Sequence, residues 1–246
     1  MAGAGPDQWR YESLGGAMLA TWPGPRSAAL APHYHRETQL VLMTAGRRRF
    51  RVPDGLVLAE PGMALILPPG LPHVALETEG ALAHGRNLYL TSDLPGWGWR
   101  SPVTLPLPAW LKPSGEPDPA RLSAWVDDAL RPLAPRHPGQ AEALIARVLR
   151  DPAPLARIAI AEGWSREGFA RRFLRLTGMT PQTCRLSDRL NQARAALALG
   201  LPAALAAAEA GFADQSHLGR QFRASFGTTP DAFRRAMMVE ISPPAR

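Results

Sequence analysis

The sequence predicts two domains, an all-β sandwich or barrel followed by an all-α unit, and three observations carry that prediction. From about residue 17 to 92, short Leu, Val and Ile runs alternate with Gly, Pro and Asp, the punctuation of short strands. Beyond Pro138 the chain becomes Ala-, Leu- and Arg-rich with helical spacing to about Met238. The Pro-bearing stretch 131–138 separates the two regimes, and 246 residues with 46% hydrophobic content suffice for two cores. The expected division is 1–112 for the β unit, 113–138 for a connecting helix and linker, 139–238 for the helical unit and 239–246 for a tail.

Within the β unit, Arg47-Arg-Arg49 and Arg51 read as the solvated face of a half-buried strand with Phe50 and Val52 inward, in preference to a second nucleic-acid patch. The Pro-rich passage 95–119 leaves strand periodicity. Its Trp97, Trp99 and Trp110 either line a pocket or pin the passage to the core, and the Pro-rich setting favours the second. Residues 120–130 form a helix with Leu122, Val126, Ala129 and Leu130 on one face, a stripe suited to dimerisation. Short helices are expected at 155–162 and 203–210. A long one is expected at 181–199, with Pro181 at its start and Gly200 at its end. Nineteen residues at about 1.5 Å each span roughly 28 Å, close to the roughly 34 Å between major-groove openings on one DNA face.

The helical unit contains a repeat. Phe169, Arg171, Phe173, Gly178, Thr180 and Pro181 recur 49 residues later as Leu218, Arg220, Phe222, Gly227, Thr229 and Pro230. Each copy follows a Gly-aromatic pair, Gly163-Trp164 or Gly211-Phe212, and each reads as short helix, turn and second helix, which is helix-turn-helix architecture. In the second copy Asp214 or Gln215 opens the helix, Leu218 and Phe222 bury one stripe, and Gly227 with Pro230 closes it. The opposite faces carry the polar side chains that a major groove reads, where Arg pairs with guanine and Gln with adenine. The DNA-contact candidates are Arg166, Glu167, Arg171 and Arg175 in the first copy, and Gln215, Ser216, His217, Arg220 and Arg223 in the second. Arg171 and Arg220, which share a position in the repeat, are the foremost. Charge agrees: residues 1–138 hold 13 basic against 12 acidic side chains, and residues 139–246 hold 15 against 9. Lys112 is the only lysine, which suits bidentate contacts and equally fits codon bias.

Other classes fall away. The single Cys184 excludes an internal disulfide framework, and the N-terminus lacks a charged-then-apolar export pattern. The longest apolar run, 193–210, is broken by Arg194, Gly200, Pro202 and Glu209, so a soluble cytoplasmic protein without a membrane partner is expected. No Ser/His/Asp, Cys/His or phosphate-loop constellation has usable spacing, and no enzyme activity is expected.

The run from Gly211 through Asp214-Gln-Ser-His-Leu218, with Phe222, Phe226-Gly227 and Pro230, resembles the signature of the AraC/XylS family of bacterial transcription regulators. The resemblance covers roughly residues 139–238. It implies two helix-turn-helix units sharing the long helix, promoter double-stranded DNA as partner, a homodimer, a small-molecule effector and a contact with RNA polymerase. The first copy departs from the pattern at Glu167, Gly168 and Ala170, and a glycine within a helix costs about 1 kcal/mol relative to Ala. The first unit is therefore expected to position the protein more than to read bases.

Upstream, His33-Tyr-His35-Arg-Glu-Thr-Gln39 with Gly46, and Gly62 with Pro68, Gly70 and His73, resemble the two short motifs of the cupin β-barrel. On a strand, the period of two puts His33, His35, Glu37 and Gln39 on one face, where His73 can meet them. Two readings stay open. His33, His35, Gln39 and His73 line an effector pocket with no cofactor required, or His33, His35 and His73 hold a divalent metal, with Gln39 where a cupin usually places a carboxylate. The expectation is a DNA-binding regulator with a cupin-like sensor. Its rival is a metal-dependent cupin enzyme or metal sensor joined to a DNA-binding domain.

Overall fold

The computed structural model describes residues 9–22, 27–94, 99, 101–112, 114–134 and 139–238. Trp97, the linker residues 135–138 and the tail 239–246 lie outside the described residues.

The β unit is one antiparallel sheet of seven strands, β1 (Arg10–Leu14), β2 (Ala17–Thr21), β3 (Thr38–Val52), β4 (Gly55–Ala59), β5 (Met63–Leu67), β6 (Val74–Leu90) and β7 (Val103–Pro106). The order is β1-β2-β6-β3-β5-β7, with β4 paired to β3, and the arrangement is cupin-like. β1 lies ahead of the expected start near 17. Its turn to β2 is Gly15-Gly16, both at positive φ, the two-residue hairpin signal that the alternating pattern does not capture. Register shifts between Met43 and Phe50 bend the long β3–β6 ladder. Leu40 and Leu42 of β3 share one face with Ile66 of β5 and Leu88 of β6 and pack into one core.

That core also takes in α1 (Pro119–Leu130), whose first turn is capped by Asp118 accepting from Arg121 N. Leu122, Val126 and Leu130 are buried against the sheet, so the stripe expected to serve dimerisation covers the protein's own β unit. The face left to solvent carries Arg121, Ala124 and Asp128. Trp110 packs edge-on to Trp125 at 6.2 Å and Trp99 is buried, so these indoles pin the Pro-rich passage to the core. The arginine run also needs correction. Arg47 and Arg49 are exposed and pair with Glu79, but the period of two sends Arg48 inward with Phe50 and Val52, to 2% exposure.

The helical unit comprises α2 (Gln140–Arg150), α3 (Leu155–Ala161), α4 (Arg166–Thr177), α5 (Pro181–Ala198), α6 (Ala203–Glu209), α7 (Gln215–Phe226) and α8 (Pro230–Met238). α4 and α7 are the second helices of the two repeats. The first repeat buries Phe169 and Phe173 with Ile145, Val148 and Ile158, and this cluster includes Tyr34 from the β unit. The second buries Leu218, Phe222, Phe226 and Phe233 together with Trp9, Tyr11, Trp22 and Tyr89. Neither helical core closes on helical residues alone, which a linear division into domains does not anticipate.

Candidate functional site

The two reading helices are built by local chemistry. Ser165 caps α4 by accepting from Gly168 N at 3.0 Å, and Asp214 caps α7 by accepting from His217 N at 2.6 Å. A Cβ on Gly168 would lie 3.1 Å from Ser165 Oγ and 3.4 Å from Trp164, so this glycine lets the cap and the indole close over the first turn. Gly178 and Gly227 end the helices in the left-handed region at φ 78° and 68°.

Burial of Phe169, Phe173 and Thr177 in α4, and of Leu218, Phe222 and Phe226 in α7, fixes what each helix shows to solvent. Arg166, Glu167, Arg171, Gln215, Ser216, Arg220 and Arg223 are exposed. His217 is half-buried, edge-on to Phe212 at 5.4 Å. Arg175 is exposed but lines a cleft between α4 and the β unit, apart from the other candidates.

Both C-cap glycines meet the β unit. A Cβ on Gly227 would overlap Trp9, whose backbone N–H donates to Gly227 O at 3.0 Å. Tyr11 donates its hydroxyl to Phe226 O at 3.0 Å, and Ala31 N donates to Ala224 O at 2.8 Å. At the other helix, a Cβ on Gly178 would lie 2.6 Å from Pro53 Cγ. These positions carry two demands, a left-handed cap and a close approach by the sensor.

α5 enters the β unit more deeply. Arg194, 2% exposed, ion-pairs with Glu37, points NH1 at His35 Nδ1 at 2.7 Å, and lies over the Tyr89 and Phe226 rings at 5.1 and 5.3 Å. Nearby, Asn191 donates to Tyr34 O, while Arg36 and the Tyr34 hydroxyl both donate to Asp188. Sequence reading treats Arg194 only as a break in an apolar run. The available signal was a single guanidinium in an Ala/Leu-rich helix, which must find a counter-charge if that face is buried.

The Arg194 contact fixes the protons of the histidine cluster. His33 and His35 precede β3, joined to the sheet only by an isolated bridge from His33 to His73, so they are not on a strand as expected. They nonetheless converge: His33, His35 and His73 each bring a ring nitrogen within 4.8 Å of the others, with Gln39 buried nearby on β3. Arginine can only donate, so His35 Nδ1 accepts and its proton sits on Nε2, which donates to His33 Nε2 at 3.1 Å. His33 Nδ1 donates to Ala31 O, and His73 Nδ1 donates to Leu71 O. Burial, with adjacent positive charge, holds His33 and His35 well below the ordinary histidine range, and burial moves His73 to about 4. Burial alone would raise Glu37, but the charge and hydrogen bond of Arg194 outweigh it and keep the carboxylate ionised.

This network does not fit a three-histidine metal centre. A metal on His35 Nε2 would require an imidazolate while Nδ1 still accepts from Arg194, and the buried guanidinium opposes a second cation beside it. Gln39 supplies no charge in compensation. Of the four pocket candidates, His73 borders the cleft noted above, which has a volume of about 490 Å³. Arg51, Val52 and Pro53 form one wall of that cleft, and Leu174, Arg175 and Met179 form the other.

A cupin-like sensor packed on paired helix-turn-helix units, with an arginine-bearing helix exposed from each, defines a ligand-responsive DNA-binding regulator. Comparison with known proteins gives the family. Residues 18–150 match the AraC-like ligand binding domain and residues 154–236 match a helix-turn-helix domain, and the chain belongs to the AraC family of transcription regulators. No curated protein matches it. Among solved structures it is similar to ToxT from Vibrio cholerae O395, at 10% identity over 91% of this chain and 99% of that one, with a TM-score of 0.55. It is also similar to unsaturated fatty acid bound wild-type ToxT from strain SCE256, at 9% identity over 94% and 99%, with a TM-score of 0.58. At such identities the likeness shows the fold. Among the described residues no helix is long and apolar enough to cross a membrane.

Proposed function

We propose that this regulator reads promoter DNA through α4 and α7 and adjusts that reading to a small anionic amphiphile held in the cleft beside α4. The observation that carries this reading is the double wall of the cleft: Arg51 and Val52 belong to the sensor, Leu174 and Arg175 to the first reading unit. An occupant touches both and so can favour one arrangement of the two units, as a population shift requires. The volume suits a drug-sized ligand, and paired guanidinium groups above apolar side chains suit a carboxylate on a hydrocarbon body. The fatty acid named with ToxT supports that class.

The histidine cluster serves this function as interior packing, without a resident metal and without turnover. Metal analysis of the purified protein and DNA binding before and after chelation check this. The place of action is the cytoplasm, where promoter DNA and RNA polymerase are available as partners. Pairing of two copies through the α1 stripe is not part of the reading, because that stripe faces its own sheet.

The experiment is fluorescence anisotropy of the full chain on its promoter fragment with and without oleate. Oleate shifts the affinity of the wild type, and Arg51→Ala/Arg175→Ala removes the shift while DNA binding persists. An unchanged shift in the double variant rejects the cleft.

A further inference from the structure

The two reading helices differ at a position that decides how each can hold a DNA backbone. In the 49-residue repeat, Arg223 of α7 corresponds to Leu174 of α4, and Leu174 is 46% exposed. The outward residues of α7 are Gln215, Ser216, Arg220 and Arg223, none of them acidic, while α4 sets Glu167 beside Arg166 and Arg171. The unit expected to position the protein on phosphates is therefore the poorer in positive charge on its own helix. Phosphate contact is electrostatic, and a leucine contributes nothing to it.

A charge for that place lies across the cleft, on the sensor. Arg51 of β3 is exposed and lines the same cleft as Leu174, Arg175 and Gly178 at the C-terminal end of α4. Arg47 and Arg49, on the same face of the strand, are both held by Glu79, but Arg51 forms no ion pair among the described residues. Two residues on, Pro53 is seated against Gly178, where a Cβ would lie 2.6 Å from its Cγ, so the turn after β3 is fixed at the end of the reading helix. We infer that Arg51 makes a DNA backbone contact for the first unit, donating to a phosphate in the role that Arg223 plays for the second. A planar guanidinium suits phosphate oxygens, and its flexible stem carries the charge past Leu174. The inference rests on α4 facing DNA, and it makes the sensor part of the DNA interface. A phosphate and the carboxylate of an amphiphile then compete for one guanidinium.

The test measures affinity of the full chain, without oleate, for the promoter fragment and for a scrambled duplex of equal length, from about 50 to 200 mM salt. Arg51→Gln weakens both duplexes about three- to tenfold and lowers the logarithmic salt slope by about 0.9. Arg51→Lys, which keeps the charge, keeps the slope. Arg47→Gln, four residues along the same strand face, leaves it unchanged, which separates a contact from the general charge of the sensor. Leu174→Arg in the Arg51→Gln background restores the slope, because it returns a cation to the position the repeat provides. A slope unchanged in Arg51→Gln, an equal loss in Arg47→Gln, or no recovery with Leu174→Arg overturns the inference. Arg220→Ala and Arg223→Ala are measured alongside: if they too leave binding unaltered, the reading of the helices fails, whereas an effect of these two without one of Arg51→Gln rejects the sensor contact alone.

Discussion

Trp164 and Phe212 close equivalent turns of the two helix-turn-helix units, yet Trp164 keeps 42% of its surface in solvent and Phe212 only 6%. Each unit leaves an aliphatic side chain of its short first helix in solvent, Ile160 at 74% and Leu205 at 55%, but the second draws Trp9, Tyr11, Trp22 and Tyr89 from the sensor into its core. The first receives Tyr34 alone among buried sensor side chains. A duplicated sequence pattern therefore reproduces helices, caps and turns, but not how firmly each copy is held. The firmly held unit is the one with the family-like reading helix, and the loosely held one borders the effector-sized cleft. On the proposed function, signal entry falls on the first copy of the motif and base readout chiefly on the second.

The largest expected effect tests the link between the units. Arg194→Met leaves the half-buried Glu37 carboxylate and the buried His35 Nδ1 without their partner, and should destabilise the chain by about 3–5 kcal/mol in urea unfolding. Glu37→Gln/Arg194→Met should recover much of that loss, because the orphaned charge is gone. Next, Phe212→Ala should cost about 3–5 kcal/mol and Trp164→Ala about 1 kcal/mol or less, since only the first leaves a cavity. Equal costs would remove the comparison.

Acid should weaken the shared region before it weakens other ion pairs. The buried histidines have folded-state affinities for protons below their unfolded ones, so the unfolded chain binds more protons and stability declines as pH falls below about 6.5. For His73 the decline runs from there to its folded value of about 4, roughly 3 kcal/mol. The depressed carboxyl of Glu37 keeps its contribution down to its ordinary value of about 4.5 and loses it as pH falls further. Thermal melts from pH 8 to 4 check the order. A melting temperature flat between 6.5 and 4.5 would contradict the protonation pattern.

The smallest effects concern DNA. Arg220→Ala should cost about 1–3 kcal/mol at one base position and relax its identity, whereas Arg171→Ala should weaken all sequences more evenly. Arg223→Ala should lower the salt slope by about one. Footprints and affinities over a set of single-base operator variants measure all three.

Much of this was legible because it is local. Caps at Ser165 and Asp214, left-handed glycines at 178 and 227, and the 49-residue repeat depend on neighbours a few positions apart. The convergence of His33, His35 and His73 was also readable through motif spacing, although the expected strand was not there. The rest depends on distant partners. Trp9 acquires meaning from Gly227, Arg194 from Glu37 and His35, and the α1 stripe from a sheet that covers it. Arg48 was within reach, since the alternation that buries Phe50 also buries its i−2 neighbour, but three arginines in a row suggested a single solvated face.

The unequal hold on the two reading helices is tested most directly by hydrogen exchange of the full chain at the C-terminal turns of α4 and α7, with and without oleate. Residues 174–179 should exchange faster than residues 223–228, and oleate should slow the former while leaving the latter unchanged. Equal exchange at the two turns, or protection by oleate at α7 alone, would contradict this account.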